Sequence, residues 1–126
     1  MVEGVYENSL LGMKLQRAEI EAASLNIANA NRVWGNQADV AQPFSAVVQT
    51  SSDKTDVLLL PQNVPAKAIY QPENPQADAQ GFIYTSDINM VEQMLILNKA
   101  SRNYEANIKV FNAYREMGGK ALEIGK

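Results

Sequence analysis

The last third of this 126-residue chain decides its fold, and its residues 89–111 read NMVEQMLILNKASRNYEANIKVF. Asn89 followed by Glu92 is typical of a helix start, because a short polar side chain there can accept from a free backbone N–H. The residues that follow alternate steps of four and three positions, as on one face of a helix that packs against another helix. These positions are Met90, Met94, Leu97, Ser101, Tyr104, Ile108 and Phe111. They predict a long helix over about 88–125.

The beginning of the chain shows the same pattern. Steps of four and three connect Leu11, Leu15, Ala18, Ala22, Leu25 and Asn29. They predict a helix from about residue 4 to about residue 32, and the alanines on its seam would let a partner helix approach closely. The predicted C-terminal helix would extend roughly 55 Å, about twice the width of a compact domain of this size. We therefore expect part of its apolar face to contact other subunits.

The middle of the chain differs from both ends, since all five prolines lie between residues 43 and 75. Short runs rich in β-branched and aromatic residues predict strands at about 44–50, 57–60, 66–70 and 82–85. Because this insertion returns the chain towards its start, the two helices should be antiparallel. The predicted fold is mainly α, a coiled-coil hairpin of long terminal helices with a small β insertion. The predicted domains are a discontinuous helical assembly domain, 1–34 and 76–126, and a β/loop insertion, 35–75.

Composition excludes several kinds of chemistry. The chain has no cysteine and no histidine, which rules out thiol nucleophiles, Ser-His-Asp triads and Cys/His zinc sites. It also lacks a glycine-rich phosphate loop. We therefore predict no catalytic residue, no cofactor and no metal site. The formal charge of -3 and a pI of about 4.9 argue against nucleic-acid binding, and no apolar run is long enough to span a membrane.

Charged residues recur through the first thirty positions, so the start of the chain does not resemble a cleavable secretory signal. The protein would stay in the cytoplasm or leave by a route that does not read such a signal. Residues 33–87 carry six acidic side chains against two basic ones, whereas residues 88–126 carry six basic against four acidic. Asparagines are frequent in both helices. They would either fix the register of helix contacts or simply be exposed.

A family resemblance rests on several blocks. Residues 24–31, SLNIANAN, resemble the signature S-x-N-I-A-N-A-N that ends the first helix of flagellar axial proteins, which include rod, hook and hook-associated subunits. Further blocks resemble proximal-rod members of that family: YQPENPQAD at 70–78, GFIY at 81–84, DINMVEQM at 87–94, ASRNYEAN at 100–107 and KALEIGK at 120–126. The chain departs from the pattern at Leu25 and Arg32 in the signature and at Ser86, where proline is expected, and residues 33–65 match poorly.

The resemblance implies a structural, non-enzymatic subunit of the bacterial flagellar basal-body rod, which supports motility as part of a helical drive shaft. It implies export by flagellar type III secretion without a cleaved signal and a position in the periplasmic rod. The implied partners are copies of the chain, rod proteins of the FlgB, FlgF and FlgG types, the rod-base protein and the export gate. The predicted helix-packing and assembly residues are the positions of the two seams other than Ser101, together with Asn26, Asn31, Arg102, Asn107 and Leu122. The alternatives are a sister rod protein or a cytoplasmic helical adaptor or chaperone.

Overall fold

The computed structural model describes residues 2–125, with side chains from residue 4 onward. Met1 and Lys126, the ends of the predicted helical domain, lie outside the described residues. Along the chain, two long helices flank four strands and a short 3-10 turn at Gln37–Asp39. The elements are α1 (Val2–Asn29), β1 (Phe44–Thr50), β2 (Thr55–Pro61), β3 (Lys67–Tyr70), β4 (Phe82–Thr85) and α2 (Met90–Ile124). Neither described helix contains a stretch apolar enough to cross a bilayer.

The two helices pack against each other as an antiparallel hairpin. The Tyr6 ring lies 5.1 Å from the Phe111 ring, centroid to centroid, near one end. Near the other end, Asn26 of α1 donates a hydrogen bond to Gln93 of α2. Ala100 lies between these contacts along α2 and is completely buried. The prediction of a helical hairpin is therefore confirmed, and α2 continues as an α-helix through the two glycines at 118–119.

The start of α2 follows the predicted capping pattern. The Asn89 side chain accepts a hydrogen bond from the Glu92 backbone N–H at 3.2 Å. This contact satisfies one of the donors that every helix start leaves without a partner in the helix. It begins α2 directly after the last strand, so that the first turn of α2 lies beside the end of α1.

The strands form two separate antiparallel hairpins. β1 pairs with β2 and packs on α1, and the strand predicted at 44–50 is confirmed with the same bounds. β3 pairs with β4, and Trp34 adds an isolated bridge to Tyr84 on β4. β3 thus lies in the predicted insertion 35–75 and β4 in the predicted segment 76–126. The second hairpin joins these two parts of the chain.

The loop between β3 and β4 depends on one glycine. Gly81 has φ +87°, a conformation that side-chain-bearing residues rarely adopt. A Cβ at this position would also lie 2.9 Å from the Tyr70 ring and 3.1 Å from Pro72. The glycine therefore permits the close return of the chain into β4.

Replacing Ala100 with leucine should lower the free energy of unfolding by about 2 kcal/mol. The added atoms have no space, because Ala100 is 0% exposed where the helices approach. Ala106→Leu is the matched control, since Ala106 is exposed on the same helix. It should change the free energy by less than about 0.5 kcal/mol. Urea unfolding of the dilute chain measures both, and equal effects would contradict a close-packed helix interface.

Candidate assembly surface

Asn26 connects three elements at the end of the helical hairpin. Its side-chain amide donates to the Phe44 carbonyl at 2.9 Å and to the Gln93 side chain at 3.0 Å. Its side-chain carbonyl accepts from the Phe44 backbone N–H at 2.8 Å. The residue is 2% exposed, so these bonds replace nearly all of its contact with water. Asn26 thus pairs with the first residue of β1 as a neighbouring strand would, and ties it to both helices.

Small residues surround this contact and let the elements approach. Ala22 and Ala23 are buried on α1. With Ala46 of β1 they form the floor of a groove of about 280 Å³ between α1, β1 and the start of α2. Three carboxylates line the same groove, those of Glu19, Asp87 and Glu92. The groove lies at the end of the hairpin where α1 finishes and α2 begins.

A second polar contact joins the middle of the two helices. Asn107 donates from its side-chain amide to the Gln16 side chain at 2.8 Å. A Cβ at Gly12 would lie 3.4 Å from that amide, so the glycine leaves space for it. Asn26 and Asn107 are therefore two asparagines at helix contacts, where a displaced register would break their bonds. By contrast, Asn98, Asn103 and Asn112 are exposed.

The packed face of α2 also follows steps of four and three. Its half-buried or buried positions include Gln93, Leu97, Ala100, Tyr104, Asn107, Phe111 and Tyr114. This row shares Leu97, Tyr104 and Phe111 with the predicted row. Ser101 and Ile108 of the predicted row are also half-buried, whereas Met94 is exposed. Gln93, Ala100 and Asn107, each smaller or more polar than the residue that follows it, allow close approach and hydrogen bonding to α1.

The structure distributes the predicted assembly residues over three environments. Ala22 and Asn26 are buried. The half-buried ones are Leu11, Leu15, Ala18, Asn29, Met90, Leu97, Tyr104, Asn107, Ile108 and Phe111. The exposed ones are Leu25, Asn31, Met94, Arg102 and Leu122. The first two groups lie within or beside the packed hairpin, whereas the third is exposed in one copy of the chain.

Two polar side chains secure the β3–β4 region. Ser86 is buried, and its hydroxyl donates a hydrogen bond to the Ala41 carbonyl. The resemblance leads one to expect proline at this position.

Asp78 accepts hydrogen bonds from the Phe82 backbone N–H and from the Tyr84 hydroxyl, each at 2.8 Å. These bonds lower the pKa of Asp78 below its ordinary value, and the bond from the Phe82 N–H has the largest effect. The hydrogen bond between the Tyr84 hydroxyl and Asp78 raises the pKa of Tyr84. Asp78 thus holds the loop closed as a carboxylate.

Asp78→Asn should flatten the acid side of the stability profile. A carboxylate whose folded pKa is lowered stabilises the fold above its unfolded pKa of about 3.9. That contribution disappears as the pH falls through the lower folded pKa. The original chain should therefore lose more stability than Asp78→Asn below about pH 4. Unfolding followed from pH 7 to pH 2 measures this difference. Tyr84→Phe removes one of the hydrogen bonds to Asp78, so it should flatten the profile less than Asp78→Asn does. Parallel profiles for all three chains would contradict this role.

Much of the outward surface of the described helices is apolar. On α2, Val91 and Leu95 are 67% and 64% exposed, and Val110 and Met117 lie further along with more than half of their surface exposed. Leu122 and Ile124 are more exposed still. Within residues 2–125, no group of three acidic side chains is arranged to hold a metal ion. The exposed apolar side chains of α2 are suited to packing against other protein.

Comparison with known proteins identifies the family. The model "Flagellar basal body rod FlgEFG protein C-terminal" matches residues 79–124. The chain is 31% identical over 118 residues to the flagellar basal-body rod protein FlgC of Salmonella typhimurium, covering 88% of each chain. It is 32% identical over 124 residues to the FlgC of Aquifex aeolicus, covering 94% of this chain and 92% of the relative. The chain belongs to the FlgC family.

FlgC proteins are structural subunits of the flagellar basal-body rod, and the family is not enzymatic. The chain is accordingly a rod subunit that assembles with other rod components. Neither alternative, the sister rod protein or the helical adaptor, is favoured by relatives that match over nearly their whole length. A shorter match, 40% identical over 58 residues, connects the chain to the FlgC of Bacillus subtilis.

Sequence reasoning did not single out several residues that carry the FlgC hairpin. Gln16 and Gln93 receive the two asparagine hydrogen bonds, and Ala23 and Ala100 are the most tightly buried alanines. The alternation of four and three positions fits Ala100 as well as it fits Ser101. A preference for the smaller residue at a close helix contact is the signal that would have found Ala100.

Proposed function

We propose that this chain is a subunit of the proximal rod and assembles through its terminal helices into the helical drive shaft of the flagellum. The observation that carries the proposal is the apolar outward side of α2, from Val91 to Ile124, which is more than half exposed at most of its large apolar positions. Exposed apolar patches of this extent are typical of protein interaction sites. Packing against neighbouring subunits would remove them from water.

The finer architecture belongs to the same proposal. In the rod, α1 and α2 act as a coiled coil, with the steps of four and three on both helices in support. Segments 1–34 and 76–126 act as the assembly domain, and 35–75 as an insertion on its surface. The exposed residues Leu25, Asn31, Met94, Arg102 and Leu122 contact neighbours, while the buried Asn26 keeps the hairpin in register.

The same proposal covers the export route and the place of action, and membership of the FlgC family supports both. The chain is exported by flagellar type III secretion without signal cleavage and functions in the periplasmic part of the rod. Its partners there are copies of itself, rod proteins of the FlgB, FlgF and FlgG types, the rod-base protein and the export gate.

Basal bodies purified from the source cells test the proposal. We expect the chain in the rod of these particles, with its N-terminus uncleaved by mass spectrometry. Deleting its gene should abolish motility and leave basal bodies without a complete rod, and the intact gene should restore both. A motile deletion strain, or a chain found only in the cytoplasm, would contradict the proposal.

A further inference from the structure

The outer edge of β2 offers backbone groups to which another strand could bond. In an antiparallel pair, residues bonded across the ladder alternate with residues whose N–H and C=O point away from it. Ser51 and Lys54 exchange both backbone bonds at the turn between β1 and β2. The register that follows makes Thr55, Val57 and Leu59 the outward-pointing residues of β2. An open edge of this kind can pair with a strand of another chain.

The same strand has the composition of a self-pairing segment. Residues 57–60 read VLLL and carry no charge. Leu58 is 38% exposed and Leu60 is 43% exposed. Apolar runs with high strand propensity pair between copies of a chain unless charged residues or prolines at their ends prevent it. Here Asp56 precedes the run and Pro61 follows it.

Asp56 covers one of the outward groups directly. Its side chain accepts a hydrogen bond from the Val57 backbone N–H at 2.9 Å. Its second carboxylate oxygen lies 3.8 Å from the Lys54 ammonium. The Val57 bond, with the positive charges of Lys14 and Lys54 in addition, holds the pKa of Asp56 below its ordinary value. At the other end of the run, Pro61 has no N–H to offer.

The bond between Asp56 and Val57 differs from the comparable bond on β1. There the outward N–H of Phe44 donates to Asn26, which is buried and joins β1 to both helices. Asp56 and Val57 are adjacent in sequence, so their bond connects no two elements. The Asp56 side chain is 45% exposed, and a cleft of about 200 Å³ between β2 and α1 opens beside it. What the bond does is occupy an accessible N–H.

We propose that Asp56 is an edge guard, whose carboxylate occupies the Val57 N–H and so prevents β2 of one copy from pairing with β2 of a second copy. Antiparallel pairing about Val57 would need each Val57 N–H to bond the carbonyl of the other chain. It would also bring two Asp56 carboxylates together. The guard leaves contacts between copies to other surfaces of the chain. The inference does not depend on the proposed function, because it concerns the chain in isolation.

Sedimentation of the purified chain tests the guard. Asp56→Ala should lower the concentration at which the chain self-associates by about tenfold, because an N–H on each edge becomes free. Asp53→Ala is the matched control, since it removes the same charge from the exposed turn beside β2. It should change that concentration by no more than about twofold. Asp56→Asn keeps an oxygen that can accept from Val57 and should behave like Asp53→Ala.

A second substitution separates edge pairing from loss of folding. Val57→Pro removes the outward N–H without breaking a bond to β1, since Val57 does not bond across the ladder. Added to Asp56→Ala, it should return self-association to the original concentration, although it cannot restore the lost bond. Unchanged association of Asp56→Ala, equal association of Asp56→Asn and Asp56→Ala, or no reversal by Val57→Pro would each overturn the guard. The proposed function would stand in every case, because it is judged by the presence of the chain in the rod.

Discussion

Replacing Asn26 with alanine is expected to lower the free energy of unfolding by about 3 kcal/mol. The substitution leaves the backbone N–H and carbonyl of Phe44 buried without their partners and removes the bond to Gln93. Each buried polar group left unpaired costs on the order of 1–3 kcal/mol. Because these bonds join α1, β1 and α2, their loss should loosen the attachment of the β1–β2 hairpin to the helices.

Two further substitutions separate hydrogen bonding from helix propensity. Asn98→Ala removes an exposed asparagine from α2 and should change stability by less than about 0.5 kcal/mol. Asn26→Asp keeps the shape but cannot donate, so a carboxylate would face two acceptors in a buried site. We expect it to destabilise more than alanine at pH 7. Urea unfolding measures all three chains, and a loss below about 1 kcal/mol for Asn26→Ala would contradict the role given to this residue.

Met94→Asp is expected to abolish motility while leaving the single chain folded. Met94 is 49% exposed on α2, so the fold of one copy does not depend on burying it. In the rod its side chain would be covered by a neighbour, and a carboxylate there would be buried without a partner. Burying an unpaired charge costs several kcal/mol. Repeated in every subunit along the rod, this cost should prevent assembly.

The unfolding midpoint of purified Met94→Asp is the control for folding, and it should match that of the original chain. Met94→Leu is the matched variant, because it keeps the apolar volume and should preserve swimming. Motility on soft agar and the amount of the chain in purified basal bodies are the measurements. Normal incorporation of Met94→Asp would show that neighbouring subunits do not cover this part of α2.

The sequence predicted the elements well because their signals are local. The steps of four and three marked both helices, the Asn89 and Glu92 pair marked the start of α2, and the strand at 44–50 has the predicted bounds. The β3–β4 hairpin crosses the predicted boundary at residue 75, because pairing between strands depends on residues that are distant in sequence. Domain limits drawn from proline positions do not contain that information.

The asparagines show where local reasoning ends. Sequence alone left open whether they fix a register or face water, because an asparagine on a helix has the same pattern in both cases. The tertiary structure separates them: Asn26 and Asn107 make hydrogen bonds between elements, and Asn98, Asn103 and Asn112 are exposed. Only the packing of partners from other elements distinguishes these sites.

By itself the sequence determined the two long helices, the β segment between them, the exclusion of histidine and cysteine chemistry, and the resemblance to flagellar rod proteins. These follow from periodicity, composition and short ordered motifs, all of which are read along the chain. Only the tertiary structure decided which side of α2 packs on α1, how Asn26 joins three elements, and that Asp56 covers an outward N–H of β2. The physical reason is that burial and hydrogen bonding depend on what lies opposite each residue, and neighbours in space are not neighbours in sequence.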